Sequence, residues 1–263
     1  MKEYGFGVDL GGTTCKIGLF KTNGELLDKW EIKTNTENNG AFILDDIANA
    51  IEAKISTSQI DKADIEGIGI GVPGPVAADG TVYKCVNLGW GVFNVAKELS
   101  DKTGLKVKAG NDANIAALGE MWQGASKGYS DIVMATIGTG IGGGIIVNGQ
   151  IISGSKGGAG EIGHICVNKD ETEKCSCGKT GCLEQYASAT GIVRMAKEKL
   201  HRYDITAKDI FDEAKAGDAS ANELINQLGE FLGTALASVA NVTNPQIFVI
   251  GGGVSKAGKI LID

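Results

Sequence analysis

The sequence predicts an α/β protein of two domains. A strand, a glycine turn and a second strand occur in the same order at residues 3–32 and 131–152, and each repeat leads on to amphipathic helices and a further β-rich run. At 263 residues the chain can also bury two cores. The expected division is residues 1–120 and 121–263, each half with a βββαβ-type core.

Residues 3–10 read as a strand ending in an acidic side chain, Asp9, followed by the Gly11-Gly12 turn and Thr13-Thr14. A second strand at 15–20 turns at Asn23-Gly24 into a third at 25–32. Strand, turn, strand excludes the P-loop and dinucleotide arrangements, which need a helix N-terminus after the glycines. A hairpin tip of backbone N–H groups and threonine hydroxyls suits a phosphate, with Asp9 facing its divalent ion; an ordinary polar hairpin fits the spacing equally well.

Ile43, Ile47, Ile51 and Ile55 mark one face of a helix over 39–55, and 65–72 is a strand broken by Pro73-Gly74-Pro75. A loop with Asn87-Leu88-Gly89-Trp90 leads to a helix at about 92–103, and a short strand at 106–110 is followed by Asn111-Asp112-Ala113-Asn114, which opens a helix through Met121. Asp112 suits a helix N-cap on position alone, and a general base as the second reading.

In the second half, 131–138 is a strand, 138–144 a glycine turn, and 145–152 alternates and turns at Asn148-Gly149. GTGIGG followed by Glu161 matches the spacing of a dinucleotide fingerprint, but the hairpin pattern after it rules that fold out. One helix is expected over 184–200, a shorter one over 206–216 and the clearest over 220–241, where Gly229 and Gly233 would admit a close neighbour. The strand at 247–251 ends in Gly251-Gly252-Gly253, suited to backbone contact with a nucleoside or to a plain left-handed turn.

A net charge of −7 and a pI near 5.0 exclude a basic face for nucleic acid. No leader and no apolar run near twenty residues is present, so the expected location is cytoplasmic, with no membrane partner. Among the six cysteines, Cys15, Cys85 and Cys166 read as small buried hydrophobes. Cys175, Cys177 and Cys182 join His164 as a soft donor set, with Gly178 and Gly181 supplying turns, between Glu161 and Glu184. That is the outline of a closed, structural zinc site; the alternative is three reduced thiols and an imidazole in a flexible loop.

Taken together these stretches resemble the ROK family of sugar kinases, within the superfamily of actin and hexokinase, and most of all its glucokinases. DLGGTTCKIGL at 9–19 is similar to the first phosphate motif, IGTGIGGG at 137–144 to the second and GGGVS at 251–255 to the adenosine motif. GGAGEIGH at 157–164 with CSCGKTGCLE at 175–184 resembles the sugar and zinc signature. The resemblance implies an α/β actin-like ATPase (ribonuclease H-like) fold with a ligand cleft between its domains, closing during transfer of the ATP γ-phosphoryl group to the 6-hydroxyl of glucose. It makes Asp112 the general base. Asp9 would attend Mg²⁺; Gly11, Gly12, Thr13, Thr139 and Gly140 would hold the phosphates; Gly252 and Gly253 would lie against adenosine. Asn87, Asn111, Asp112, Glu161, His164 and Glu184 would bind the sugar, His164 using its other ring nitrogen for Zn²⁺. A homodimer is implied, as is a second domain shortened at its C-terminal end, since relatives continue past the GGGVS loop. The rivals are a kinase for N-acetylmannosamine or another hexose and a sugar-binding protein without catalysis. A sugar-sensing repressor is disfavoured, because a helix-turn-helix has no room ahead of residue 9.

Overall fold

In the computed structural model, which describes residues 2–262, the chain divides into two units, Met1–Ala116 with Ser153–Ala159, and Ala117–Ile152 with Gly160–Asp263; the terminal residues Met1 and Asp263 lie outside the described residues. The segment 153–159 therefore groups with the first unit. Its Gly157 lies so close to the backbone of Val76 that no side chain would fit between them.

The first unit is built on β1 (Tyr4–Leu10), β2 (Thr14–Lys21), β3 (Leu26–Lys33), β4 (Ile65–Val72) and β7 (Val107–Asn111). They hydrogen-bond in the order β3-β2-β1-β4-β7, antiparallel from β1 to β3 and parallel from β1 through β4 to β7. Period-two alternation splits the sheet's faces. Phe6, Val8, Leu10, Ile17 and Leu19 turn into the core with Ile68, Ile70 and Val72, and α2 (Ile43–Thr57) and α3 (Val95–Thr103) bring Ile47, Ile51 and Leu99 to the same cluster. On the opposite face Gly18, Gly7 and Gly69 stand in register across three strands.

The helix expected from residue 39 starts at Ile43. Before it lies a single turn, α1 (Glu37–Gly40), in which Asn38 and Asn39 adopt left-handed φ values of 50° and 58°. Asparagine tolerates that region better than most residues. The turn receives the loop between the short strands β5 (Thr81–Val82) and β6 (Phe93–Asn94). Trp90 is buried there, donates from Nε1 to the Gly40 carbonyl at 3.1 Å and packs edge-on against Phe93 at 5.0 Å. Asn94 accepts from the Lys97 N–H and so caps α3.

The second unit repeats the pattern with β8 (Ile132–Ile137), β9 (Ile141–Val147), β10 (Gln150–Ile151) and β11 (Ile247–Gly251), ordered β10-β9-β8-β11. β8 and β9 form the predicted hairpin, and Asn148 and Gly149 take positive φ at the next turn, as a primed turn requires. α7 (Ala207–Lys215) begins on a capping box of Thr206 and Asp209, and the 25-residue α8 (Ala219–Thr243) buries Leu224, Leu228 and Leu232 in the second core. Gly229 and Gly233 of α8 have no close neighbour among the described residues: a Cβ on either would meet none of them within 4 Å.

The single helix expected over 184–200 is two, α5 (Glu184–Ala187) and α6 (Ala189–Leu200). Ser188 breaks it with extended backbone, donates from Oγ to the Glu184 carbonyl at 2.6 Å and accepts from the Gly191 N–H at 3.0 Å. A serine used as an N-cap separates elements that hydrophobic spacing alone runs together. No helix among the described residues is long and apolar enough to cross a membrane.

Replacing Trp90 by Phe keeps the ring but strands the Gly40 carbonyl, so the chain should lose about 1–3 kcal/mol of stability in chemical denaturation.

Candidate active site and metal centre

In the first unit β1, β4 and β7 run parallel, so their carboxyl ends share one edge. Asp9 pairs in register with Gly71, and Gly71 with Gly110, two residues before Asp112. With β4 between them, the two aspartates leave strands about 10 Å apart. Asp112 is the first residue of α4 (Asp112–Gln123), and the cap is its neighbour: Asn111 Oδ1 accepts from the Asn114 N–H at 3.1 Å, while Asn111 Nδ2 donates to the Gly74 carbonyl at 3.2 Å. Asn111 thus ties the helix start to the proline loop and relieves Asp112 of capping duty.

Solvent reaches Asp112, yet the protein around it disfavours the charged form. Desolvation raises its pKa above the usual aspartate value and the charge of Asp9 adds to the rise, partly offset by the Ala113 N–H, which donates to Oδ1 at 2.7 Å. A carboxylate with raised proton affinity is a better base than an ordinary one. The Gly11-Gly12 turn closes on itself through Gly11 N–H to the Thr14 carbonyl at 3.1 Å. Asn87 stands beside this turn, its Cβ 3.6 Å from where a Cβ on Gly12 would be.

In the second unit the tip of the β8–β9 hairpin is fastened to the start of α6. The Ala189 N–H donates to the Gly138 carbonyl at 2.8 Å and Thr190 Oγ1 to the Thr139 carbonyl at 2.6 Å. Gly252, at φ 85°, lies so close to the Ile137 backbone that any side chain would collide, which sets the glycine loop against the carboxyl end of β8. The left-handed turn and the close backbone approach are both present there. A cavity of about 530 Å³ opens beside these turns, within the size range of small-molecule sites. Gly138, Thr139 and Gly253 line it on one side and Phe211, Lys208 and Lys215 of α7 on another.

Glu161, Ile162, Gly163 and His164 lie along β9, Gly163 so close to the Ile141 carbonyl that a side chain is excluded. The ligand atoms of His164, Cys175, Cys177 and Cys182 all fall within 4.8 Å of one another. His164 Nδ1 is 3.7 Å from Cys175 Sγ and Cys177 Sγ 3.6 Å from Cys182 Sγ. Ligands on a tetrahedral zinc with Zn–S near 2.3 Å stand about 3.8 Å apart, so the donor set fits that ion. Burial first, then the neighbouring thiols, push Cys182 up to about 12, while Cys177 is shifted down, against burial, by the Lys179 N–H and the thiols of Cys182 and Cys175.

Glu184 joins the cysteine loop to the tip of the β8–β9 hairpin. Its Oε1 accepts from Cys175 Sγ and from Ser176 Oγ, each at 2.9 Å, and its Oε2 lies 2.8 Å from where a Cβ on Gly140 would be. His164 Nδ1 is 3.7 Å from Oε1.

A sequence model of the ROK family matches residues 5–263. The chain belongs to the ROK family. This ROK protein is 48% identical to a glucokinase of Halalkalibacterium halodurans over 97% of the chain and 82% of that relative, and 38% identical to a glucokinase of Thermotoga maritima over 97% and 83%. A ROK family glucokinase from Streptomyces griseus, solved with glucose and AMPPNP, superposes with a TM-score of 0.79 at 34% identity, covering 99% of this chain and 86% of that one. The fold of this ROK protein is accordingly the two-domain, actin-like α/β fold expected from its motifs.

Two features of the ROK chain differ from expectation. Cys166 is exposed, its Sγ reaching the Asn168 carbonyl at 3.7 Å, whereas Cys15 and Cys85 are buried as expected. The α7 wall of the cavity was invisible to motif reading: Lys208, Phe211 and Lys215 belong to an ordinary amphipathic helix, and only the fold brings them to a glycine turn about seventy residues earlier in the chain.

Hydrogen bonding from Tyr186 and Arg194, the former the larger cause, holds Glu171 well below the usual glutamate value, at about 2. A depressed folded value contributes stability that is complete above the unfolded value near 4.5 and lost as pH falls through 2. In denaturant titrations down to about pH 3, Glu171→Gln should flatten the acid limb of the stability curve relative to wild type.

Proposed function

We propose that this chain catalyses ATP-dependent phosphorylation of glucose at its 6-hydroxyl, with Asp112 as the general base. The observation that carries the catalytic assignment is Asp112 itself: a first-turn carboxylate freed of capping by Asn111, with its proton affinity raised by desolvation and by Asp9. The choice of glucose is supported by identity to relatives named as glucokinases and by likeness to one solved with glucose and an ATP analogue.

In this reading Asp112 accepts the proton of the 6-hydroxyl as that oxygen bonds to the γ-phosphorus, and the bond from phosphorus to the β–γ bridging oxygen breaks, releasing ADP. The transition state is loose, so orientation and charge stabilisation supply most of the rate. Gly12, Thr13, Thr139 and Gly140 donate backbone and hydroxyl hydrogens to phosphate oxygens, Gly11 shapes the first of these turns through its N–H bond to the Thr14 carbonyl, and Gly252 and Gly253 flank the nucleoside. Asp9 is the carboxylate assigned to the Mg²⁺ of the nucleotide, an ion that neutralises phosphate charge when bound. Asn87, Asn111, Glu161, His164 and Glu184 are assigned to sugar hydroxyls.

Zinc is assigned to His164, Cys175, Cys177 and Cys182, where it would fix the loop that carries the sugar ligands. His164 then keeps one ring nitrogen free, and His164 and Glu184 lose their geometry together when the metal is removed. A cytoplasmic homodimer completes the reading; support for it comes from the family resemblance alone.

A coupled assay with ATP, Mg²⁺ and a hexose panel tests the proposal: turnover is expected with glucose, and a preference for N-acetylmannosamine would reassign the substrate. Asp112→Asn should lower kcat by roughly 10²–10⁴-fold while calorimetry finds glucose binding largely retained; wild-type turnover in that variant would remove Asp112 as the base. Elemental analysis should find one zinc per chain, and Cys177→Ser should lose zinc and raise KM for glucose.

A further inference from the structure

The metal tetrad leaves one part of its own loop untouched. Residues 168–173 bulge away between His164 and Cys175, and their side chains meet a second set of groups on α5 and α6. Arg194 of α6 donates to Glu171 Oε2 at 2.8 Å from one terminal nitrogen, which also reaches the Gln185 carbonyl at 3.2 Å. Its other nitrogen approaches Glu173 at 3.5 Å and Glu198 at 3.2 Å. The guanidinium stacks 5.2 Å from the centre of the Tyr186 ring. The Tyr186 hydroxyl donates to Glu171 at 2.5 Å and accepts from Asn168 Nδ2 at 2.9 Å. The Glu171 side chain is only 9% exposed, and Arg194 Nε is buried with no hydrogen-bond partner among the described residues. The guanidinium leaves that nitrogen unsatisfied while its terminal nitrogens hold three carboxylates.

Gln185 extends the same grip, donating from Nε2 to the Glu173 carbonyl and accepting at Oε1 from the Cys182 N–H, each at 3.0 Å. Glu184, one residue earlier, is the carboxylate that contacts Cys175 and Gly140. We propose that Arg194, with Glu171 and Tyr186, forms a second clasp on the metal loop that needs no metal, and that it acts as a positioning residue for Glu184 and His164. This rests on the sugar-kinase reading for its consequence in catalysis, but the clasp itself does not.

The test is hydrogen–deuterium exchange across residues 166–182 in the purified protein, with and without a zinc chelator. With chelator present, Arg194→Met should exchange at least about tenfold faster than wild type over this segment, the scale on which losing hydrogen bonds to a charged group eases local opening. It should also release zinc faster to a chromogenic chelator and raise KM for glucose more than it lowers kcat. Arg194→Lys should restore part of each effect, since it keeps the charge but loses the planar fork. Should Arg194→Met fold poorly, Glu171→Gln removes the partner with little change in volume and should move exchange in the same direction. Wild-type exchange in the chelated variants overturns the clasp. Faster exchange with unchanged KM overturns the positioning role. Wild-type protein free of zinc sinks the metal reading instead, and the exchange comparison still decides the clasp.

Discussion

Glu184 is gripped through one oxygen while the other lies beside a glycine, and the second unit's candidate chemistry is arranged around it. One oxygen takes the Cys175 thiol and the Ser176 hydroxyl; the other lies against the glycine at the tip of the β8–β9 hairpin. A larger residue than glycine at 140 would displace the carboxylate, and a longer α5 would carry it elsewhere. The break at Ser188 is what lets Glu184 open a four-residue helix while Ala189 and Thr190 grip the hairpin tip from the start of the next. One short stretch therefore ties the cysteine loop, the acid and the hairpin tip together.

The two units repeat one local arrangement. Each has a hairpin whose tip is closed by glycine and lined with threonine, beside the carboxyl end of a parallel strand pair, where α/β sheets commonly bind ligands. A hairpin tip offers several converging N–H groups without a helix dipole, so flexible backbone and hydroxyls replace the helix N-terminus used by nucleotide-binding βαβ folds. In the first unit this edge also carries Asp9 and Asp112, and their mutual repulsion is part of what makes Asp112 a stronger base.

Much of this was legible in the chain. The hairpins announced themselves by alternation and by Asn-Gly turns, and the donor tetrad by four soft ligands in one short loop, since both signals depend on neighbours close in sequence. Helix ends were read less well. Asn38 and Asn39 in left-handed conformation delayed α2, and Ser188 split a helix that apolar spacing had joined, because capping depends on backbone angles that spacing does not encode. Position alone makes Asp112 a cap, yet the adjacent Asn111 takes that role, held in place by the loop carbonyl of Gly74.

By itself, then, the sequence determined the α/β class, the two hairpin turns, the tetrad and its family resemblance, all of which follow from local periodicity and short-range spacing. Only the tertiary structure decided that Asn111 frees Asp112, that Lys208, Phe211 and Lys215 wall the cavity beside Thr139, and that Arg194 reaches back to Glu171. Those relations join residues brought together by sheet order and helix packing, and the free energy of a contact depends on where its partners stand in space, which no local pattern records.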